Sequence, residues 1–432
     1  MSPTAIASIH GRRIWDSRGR PTVEVDVRLA DGSLGRGVAP AGASRGSREA
    51  VDRRDGGSRL GGFDVQQALA GITAEIAPAV QGMDACDQAA IDRRLVELDG
   101  TTNKARLGGN ALVAVSLAAL HAAAASDGQP LWAYVAQGKP VSMPLPEIQI
   151  FGGGAHAGGR IDIQDLMVIA PGARSFAEAL EMSAEIYLAA GRLMAESGRL
   201  QGVADEGGYW PVFASNEEAL DMLVRAIERA GYVPGEQVAI SLDVAASEFG
   251  AGGRYRLGLD GRELDSDAMG ELLLRWCERY PILSVEDPFA EDDAEGLRRF
   301  TAAVGQRIQV IGDDYLVTSA ERVEAAAREG TVNAVLIKLN QAGTVSETLA
   351  ALEAGKRAGF GTIVSARSGE TEDTTIAHLA VGWNAGQLKV GSFARSERMA
   401  KWNEVLRIEE AIGPQARFAG AAALPIVLPR RA

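Results

Sequence analysis

The segment Ala334-Val-Leu-Ile-Lys338-Leu-Asn-Gln341 is an apolar run of strand length that ends in a lysine. A buried strand has no structural use for a lysine, because desolvation disfavours the ammonium and is expected to lower its pKa. Lys338 is therefore a candidate neutral base, particularly if a second cation lies nearby. The segment indicates a functional site at the end of a central strand.

Further short apolar segments that end in or near polar groups recur at intervals of about 25 to 45 residues, with helical patterns between them. These segments are 238–243, 282–286, 308–313, 362–365 with Arg367 behind it, and 387–389. Helices are predicted over 268–280, 320–329 and 346–358. Repeating βα units predict a parallel sheet, and functional groups at carboxyl strand ends are typical of the mouth of a (β/α)8 barrel.

Three of these strands end in acids, namely Asp243, Glu286 and Asp313, and one ends in a second lysine, Lys389. Converging carboxylates repel one another unless a cation separates them. A hard divalent ion with oxygen ligands is the economical partner. The pattern favours Mg2+.

The first part of the chain has a different pattern, in which Pro21–Leu29 alternates as a half-buried strand. Asp31-Gly32 predicts a turn into a strand over 33–38, and helical patterns cover 65–80 and 111–125. We therefore predict two domains: an α+β capping domain over residues 1–140 and an α/β barrel over 141–432.

Two glycine-rich loops carry further candidates. The loop 40–49 contains Ser44 and Arg45 and is either a solvated surface turn or a lid that closes over a phosphate or metal. His156 lies in a loop whose residues are too small to form a core, which favours a role in a site. Arg367 and Ser368 suit an anion clamp, and the alternative is a capped helix start with a solvated arginine.

Composition excludes several classes of function. The net charge is -13 and no basic, aromatic patch occurs, so nucleic acid is not an expected partner. We find no apolar run of about 18 uncharged residues, and hence expect no membrane span. The N-terminal residues resemble no signal peptide, which favours a cytoplasmic location. Two isolated cysteines, Cys86 and Cys277, argue against disulfides or a zinc cluster.

The chain resembles the enolase family over nearly its whole length. The similar segments, in the family's order, are Asp16-Ser-Arg-Gly with Pro21-Thr-Val-Glu24, Leu98-Asp-Gly-Thr with Asn103-Lys104, Asp205-Glu-Gly-Gly208, Ser284-Val-Glu-Asp-Pro-Phe-Ala-Glu-Asp-Asp293, Lys338-Leu-Asn-Gln341, Arg367-Ser-Gly-Glu-Thr-Glu-Asp373 and Ala394-Arg-Ser-Glu-Arg398. The resemblance implies an enolase-type modified (β/α)8 barrel with an N-terminal α+β capping domain, two Mg2+ ions and a homodimer or higher homo-oligomer.

The resemblance also implies roles. Lys338 would remove the proton α to the substrate carboxylate, Glu206 would protonate the departing hydroxyl and Lys389 would bind the carboxylate. The remaining implied residues are Asp243, Glu286 and Asp313 for the first Mg2+, Ser44 for the second, Arg367 and Ser368 for the phosphoryl group, and His156, Asp165 and Gln164 around the reacting atoms. A lysine base with one or two Mg2+ ions is the pattern described for the enolase superfamily.

Departures from the family pattern concentrate around the substrate. Ala366 replaces a histidine, Asp165 replaces a glutamate and Arg45 replaces a threonine. More space and another cation at the phosphoryl pocket favour a larger, more anionic phosphorus group. One such substrate is a 2-phosphoglycerate analogue whose phosphorus carries a carboxylate, which would give carboxyphosphonoenolpyruvate in phosphonate or phosphinate natural-product biosynthesis. The alternatives are an ordinary glycolytic enolase and a non-catalytic enolase-like binding protein.

Overall fold

A three-stranded antiparallel sheet opens the chain in this computed structural model, which describes residues 2–427. Its strands, in spatial order, are β1 (Ile6–Trp15), β2 (Pro21–Leu29) and β3 (Leu34–Val38). Strand β2 buries Val23, Val25 and Val27 on one face, as the alternating pattern predicts.

Five α-helices follow this sheet before the barrel begins: α1 (Gln66–Gly71), α2 (Ala77–Val80), α3 (Gln88–Asp99), α4 (Gly109–Ser126) and α5 (Leu131–Ala136). A π-helical turn, Ile72–Ile76, joins α1 to α2, and a 3-10 turn covers Arg59–Gly62. The predicted helices over 65–80 and 111–125 are thus present. The predicted domain boundary at 140 falls between α5 and the next strand.

Helix α4 packs unusually close to strand β3. A Cβ atom at Gly35 would lie 2.1 Å from the Ala118 carbonyl oxygen, and one at Gly37 would lie 2.3 Å from the Ala114 carbonyl oxygen. Only glycine on the strand, facing alanine on the helix, allows this approach. The contact explains the alanine-rich composition of α4.

The same helix corrects one premise of the sequence analysis. Gly109–Ser126 is uncharged, and among the described residues it is the one helix long and apolar enough to cross a membrane. Most of its residues are buried against the sheet and the barrel. The helix is therefore explained as a core helix.

The remaining described chain forms a closed eight-stranded barrel with helices around it, which confirms the predicted fold class. Its strands, in spatial order, are β11 (Ile282–Glu286), β12 (Gln309–Gly312), β13 (Ala334–Ile337), β14 (Gly361–Ser365), β15 (Gly386–Gly391), β5 (Leu145–Gly152), β6 (Asp165–Ile169) and β7 (Ala239–Asp243). Short strands β4 (Ser142–Met143), β8 (Gly250–Ala251), β9 (Arg254–Arg256), β10 (Glu263–Asp265) and β16 (Arg417–Phe418) lie outside it.

One strand contradicts the expectation of a fully parallel sheet. Strand β6 runs antiparallel to both neighbours, β5 and β7, while the other barrel pairs are parallel. The reversal places the first residue of β6, Asp165, opposite Asp243 at the last position of β7. Asp165 therefore reaches the same mouth as the carboxyl ends of the parallel strands.

The outer helices are α6 (Phe176–Glu196), α7 (Asn216–Arg229), α8 (Ser266–Arg279), α9 (Ala294–Val304), α10 (Ala320–Glu329), α11 (Leu339–Ala342), α12 (Val345–Arg357), α13 (Thr375–Gly382) and α14 (Ser396–Ile412). Short 3-10 turns cover Gly154–Ala157, Ala246–Glu248, Gly413–Gln415 and Gly420–Ala423. Six outer helices begin at an N-cap residue whose side chain accepts a hydrogen bond from a backbone N–H of the first turn. These N-cap residues are Ser175, Ser215, Asp265, Asp293, Ser319 and Thr344.

A buried carboxylate connects the N-terminal helices to the barrel. Asp92 on α3 accepts hydrogen bonds from the backbone N–H and hydroxyl of Ser346, in the first turn of α12, at 2.8 and 2.6 Å. It also accepts from the Ser116 hydroxyl on α4 at 2.5 Å. These contacts fix the N-terminal region over the side of the barrel.

Candidate functional site

The barrel mouth gathers the charged strand ends that the sequence predicts. Asp243 and Glu286 are the last residues of β7 and β11, Asp313 and Lys338 directly follow β12 and β13, and Lys389 lies within β15. All five side chains are buried. Parallel strands bring their carboxyl ends to one rim, so residues far apart in sequence become neighbours.

The Lys389 ammonium lies among three carboxylates. Its Nζ atom donates to Asp243 Oδ2 and Glu286 Oε2, each at 2.8 Å, and lies 3.4 Å from Asp165 Oδ2. Burial opposes the charged form, but these acids raise the pKa of Lys389 well above its ordinary value. Lys389 is therefore a fixed positive charge at the centre of the mouth.

Lys338 is paired with Asp313, to which its Nζ atom donates a short hydrogen bond. Gln341 Nε2 donates to the other Asp313 oxygen, Oδ1, at 2.8 Å. Burial lowers the pKa of Lys338, as expected, but the carboxylates of Asp313 and Glu286 together raise it above the ordinary value. The expected lowering of the Lys338 pKa is therefore not found in this structure, because carboxylates lie beside the ammonium.

His156 is hydrogen-bonded to two other candidates and lies close to a third. Its Nδ1 lies 2.9 Å from Asp165 Oδ1, and its Nε2 lies 3.1 Å from the Ser368 hydroxyl and 3.7 Å from Glu206 Oε1. Burial disfavours the imidazolium, but Asp165 and Glu206 raise the pKa of His156 to about 9. The positively charged form of His156 is therefore favoured at neutral pH, beside the clamp serine. Gln149 also donates to Asp165 Oδ1.

Arg367 is buried and lies against the loop 40–50, which we call the lid segment. Its guanidinium donates to the Ser44 carbonyl at 3.0 Å and forms a bidentate pair with Glu49 at 3.0 and 3.2 Å. The Ser368 hydroxyl accepts from the Ala43 N–H at 3.3 Å. The lid alternative for this loop is therefore the one that its contacts favour.

Three other predicted residues have different surroundings. Gln164 Nε2 donates to Asp243 Oδ2 at 3.1 Å, which places it at the mouth. Ala366 is buried, and its N–H donates to the Lys389 carbonyl at 2.9 Å. Arg45 is 43% exposed and its guanidinium lies 3.4 Å from Asp52 Oδ2. The structure brings Gln164 and Ala366 to the cluster and directs Arg45 toward the surface.

Family comparison agrees with this architecture. Residues 6–135 match the family model described as enolase, N-terminal domain, and residues 140–426 match that described as enolase, C-terminal TIM barrel domain. The chain belongs to the enolase family. Membership supports a Mg2+-dependent enzyme of the enolase superfamily that acts on a small phosphorylated molecule.

The donor set of this enolase-family protein fits a hard cation. Glu286 Oε1 is buried without a hydrogen-bond partner in the structure, and burial together with Asp243 raises the pKa of Glu286 well above its ordinary value. A carboxylate in that environment gains from a cation that replaces its lost hydration. Asp243, Glu286 and Asp313 are the residues that would hold Mg2+.

Two groups of side chains in this enolase-family protein lie close enough together to share a metal ion, and of the predicted Mg2+ ligands only Asp313 belongs to one of them. Asp287, Asp313 and Asp314 offer ligand atoms within 4.8 Å of one another, as do His156, Asp165 and Glu206. Asp287 accepts the N–H groups of both Asp313 and Asp314, at 3.0 and 2.7 Å, so it shapes the turn that follows β12. Burial, followed by Asp313, raises the pKa of Asp287 to about 8.

Sequence reasoning missed two charged residues in the enolase-family site. Glu49 lies in the lid segment and pairs with Arg367. Arg398 is fully buried and donates to the carbonyls of Arg367, Val390 and Ser368, the first two at 2.7 and 2.9 Å and the third at 2.5 Å. Arg398 lies inside a segment that resembles the family and Glu49 lies in the glycine-rich loop 40–49, yet only tertiary contacts reveal what they bind.

Proposed function

We propose that the chain is a Mg2+-dependent enolase-type dehydratase, a hydro-lyase that removes water from 2-phosphoglycerate or from an analogue with a larger anionic phosphorus group. The observation that carries the proposal is the placement of two buried lysines, Lys338 and Lys389, on one set of carboxylates. An anionic substrate centred there would contact a base, a fixed positive charge and the Glu206–His156 side of the mouth.

In the proposed reaction Lys338 accepts the proton on the carbon next to the substrate carboxylate, and that carboxylate is held by Lys389. Because Asp313 raises the pKa of Lys338, base catalysis requires Asp313 to be shared with another cation. Glu206 then protonates the departing hydroxyl, which supplies a factor of about 10² to 10⁴. Arg367, Ser368 and the imidazolium of His156 bind the phosphoryl group.

Mg2+ bound by Asp243, Glu286 and Asp313 would supply positive charge that makes the α-proton more acidic. We also propose a second Mg2+ at Ser44, because the contact of the lid segment with Arg367 already holds Ser44 at the barrel mouth. Gln164 and Asp165 would orient the groups around these charges. Every one of these residues is buried, which strengthens their electrostatic effect.

The departures at Ala366 and Asp165 support the analogue over 2-phosphoglycerate, whereas Arg45 is directed toward the surface. Ala366 lies in the same segment as Arg367 and Ser368 and offers only a methyl group there. Asp165 reaches one methylene less than glutamate, and a misplacement of about 1 Å costs roughly 10²-fold in rate. We infer a substrate whose phosphorus carries a carboxylate, which would give carboxyphosphonoenolpyruvate.

An ordinary glycolytic enolase is the second candidate, because the lysines, the acids and the clamp are all present at one mouth. A non-catalytic binding protein is disfavoured by the same observation, since binding alone does not require a paired base and acid. A cytoplasmic location and a homodimer or higher homo-oligomer complete the proposal.

Purified protein with Mg2+ and 2-phosphoglycerate should form little enolpyruvate product, measured by its ultraviolet absorbance, while the carboxylated analogue should turn over faster. Lys338→Met should abolish the product with either substrate. Efficient turnover of 2-phosphoglycerate would refute the specialised substrate, and no turnover of either compound would refute the dehydratase.

A further inference from the structure

Glu49 fills the position at Arg367 that an anionic ligand would otherwise take. Its Oε2 accepts from Arg367 Nη1 at 3.0 Å and its Oε1 from Nη2 at 3.2 Å. Asn340 Oδ1 accepts from Nη1 at 2.9 Å and the Ser44 carbonyl from Nη2 at 3.0 Å. These four bonds use both N–H groups of each terminal nitrogen and leave the Nε–H for another acceptor.

The pair is enclosed. The side chains of Arg367 and Glu49 are 3% and 6% exposed. A Cβ atom at Gly42 would lie 2.0 Å from Arg367 Nη2, so the lid backbone lies directly on the guanidinium and only glycine fits there. The lid segment and the clamp arginine are therefore one packed unit.

Glu49 is also connected to the acidic cluster. Its Oε1 accepts from Gln341 Nε2 at 3.2 Å, and the same nitrogen donates to Asp313 Oδ1 at 2.8 Å. The Gly46 N–H donates to Glu49 Oε1 at 3.1 Å, which fixes the carboxylate to its own loop. Displacing Glu49 from Arg367 thus requires the lid segment to move.

We propose that Glu49 determines specificity at the phosphoryl pocket, by neutralising Arg367 and holding the lid segment on it. The inference rests on the proposed function, because it takes Arg367 as the phosphoryl-binding group. An oxyanion must replace the Glu49 carboxylate to gain bidentate contact with Arg367. Since that exchange moves the lid, ligand charge and lid position are linked.

Two measurements test this on the full chain, and neither requires turnover. The first is the affinity for inorganic phosphate by calorimetry. Glu49→Gln removes the competing charge and should bind phosphate at least about tenfold more tightly than wild type. Adding Arg367→Met to Glu49→Gln should abolish that gain. Glu49→Asp keeps the charge and should show no gain.

The second is tryptic cleavage of the Arg45–Gly46 bond, whose arginine side chain is 43% exposed and which is chemically unchanged by substitution at 49. Glu49→Gln and Glu49→Asp should both accelerate this cleavage about tenfold or more. Asp64→Asn is the matched control. It removes the charge of another carboxylate that binds an arginine, since both Asp64 oxygens accept from Arg13 Nη1, at 3.0 and 2.9 Å, and it should leave lid cleavage unchanged.

Unchanged phosphate affinity in Glu49→Gln would overturn the inference, as would a gain that persists without Arg367. If Glu49→Gln does not fold, Glu49→Asp carries the test, and its failure to accelerate cleavage at Arg45–Gly46 overturns the inference. If the protein catalyses no dehydration but Glu49→Gln still gains phosphate affinity through Arg367, only the proposed function is refuted.

Discussion

The imidazole of His156 and the carboxylate of Asp165 are joined by a 2.9 Å contact inside the barrel mouth. Asp165 reaches this contact because β6 is reversed, and His156 reaches it from the loop that precedes that strand. The protonation state of His156 therefore contributes to the stability of the folded protein.

This pair predicts a specific pH dependence of stability. The folded pKa of His156 is about 9, above the unfolded value of about 6.5, so its stabilising charge is complete below pH 6.5. That contribution, on the order of 3 kcal/mol, should be lost as pH rises through 9. The free energy of unfolding of wild type minus that of His156→Gln should therefore fall over this range. A difference that stays flat would contradict the assignment.

Asp165→Glu should raise turnover of 2-phosphoglycerate by about ten- to a hundredfold, because it restores the reach that the family residue has. Steady-state rates at saturating Mg2+ measure the effect. Asp165→Asn is the control, since it keeps the shape of the side chain but removes its charge, and it should lower the rate. An equal rate for wild type and Asp165→Glu would show that reach is unimportant.

The combined variant Ala366→His with Arg45→Thr should shift preference toward 2-phosphoglycerate. The histidine refills the space beside Arg367, and the threonine removes a lid cation. Since Arg45 is directed toward Asp52, we expect most of the change from Ala366→His alone. The ratio of kcat/KM for 2-phosphoglycerate to that for the carboxylated analogue is the measurement, and an unchanged ratio would refute the pocket argument.

Glu286→Gln should weaken Mg2+ binding at least about tenfold by calorimetry, because it removes a buried charge with an unpartnered oxygen. Glu147→Gln is a matched control. Glu147 is another buried barrel carboxylate with one unpartnered oxygen, Oε1, and one partnered oxygen, Oε2, which accepts from Ser241 at 2.8 Å, but it lies outside the proposed set of Mg2+ ligands. Equal Mg2+ affinity in both variants would place the ion elsewhere.

Gly35→Val should destabilise the protein by about 3 kcal/mol or more, because its side chain would overlap the backbone of α4. Gly270→Ala is the control, since its added Cβ meets only Phe289 at 3.6 Å inside α8. It should raise stability by roughly 0.5 to 1 kcal/mol. Thermal or denaturant unfolding distinguishes the two, and a tolerated valine at 35 would contradict the close packing.

Six of the eight barrel strands, β7 and β11 to β15, could be predicted because each is an apolar run that ends in or near a polar or charged residue. Strand β13 and the position of Lys338 follow from that pattern alone. The direction of β6 could not be predicted, since alternation fixes which face a residue occupies but not which way a strand runs. Its reversal is what brings Asp165 to the mouth.

The ion-pair partners in the site, and hence the directions of its pKa shifts, could not be predicted from the sequence either. A desolvated lysine and a lysine paired with a carboxylate have opposite pKa shifts, and only the fold shows that Lys338 belongs to the second kind. Glu49 was hidden for a similar reason, because a glutamate in a glycine-rich loop gives no sign of a partner 318 positions later in the chain.

The reversed strand has one more consequence. Residues Gly152 and Asp165, which bound the His156 loop, are paired neighbours in the barrel wall. Both ends of that loop are thus anchored side by side on the rigid scaffold, without an intervening α-helix. Such a loop can be exchanged for one of different length or chemistry while the barrel stays closed, so this hairpin is a natural point at which new selectivity could be grafted.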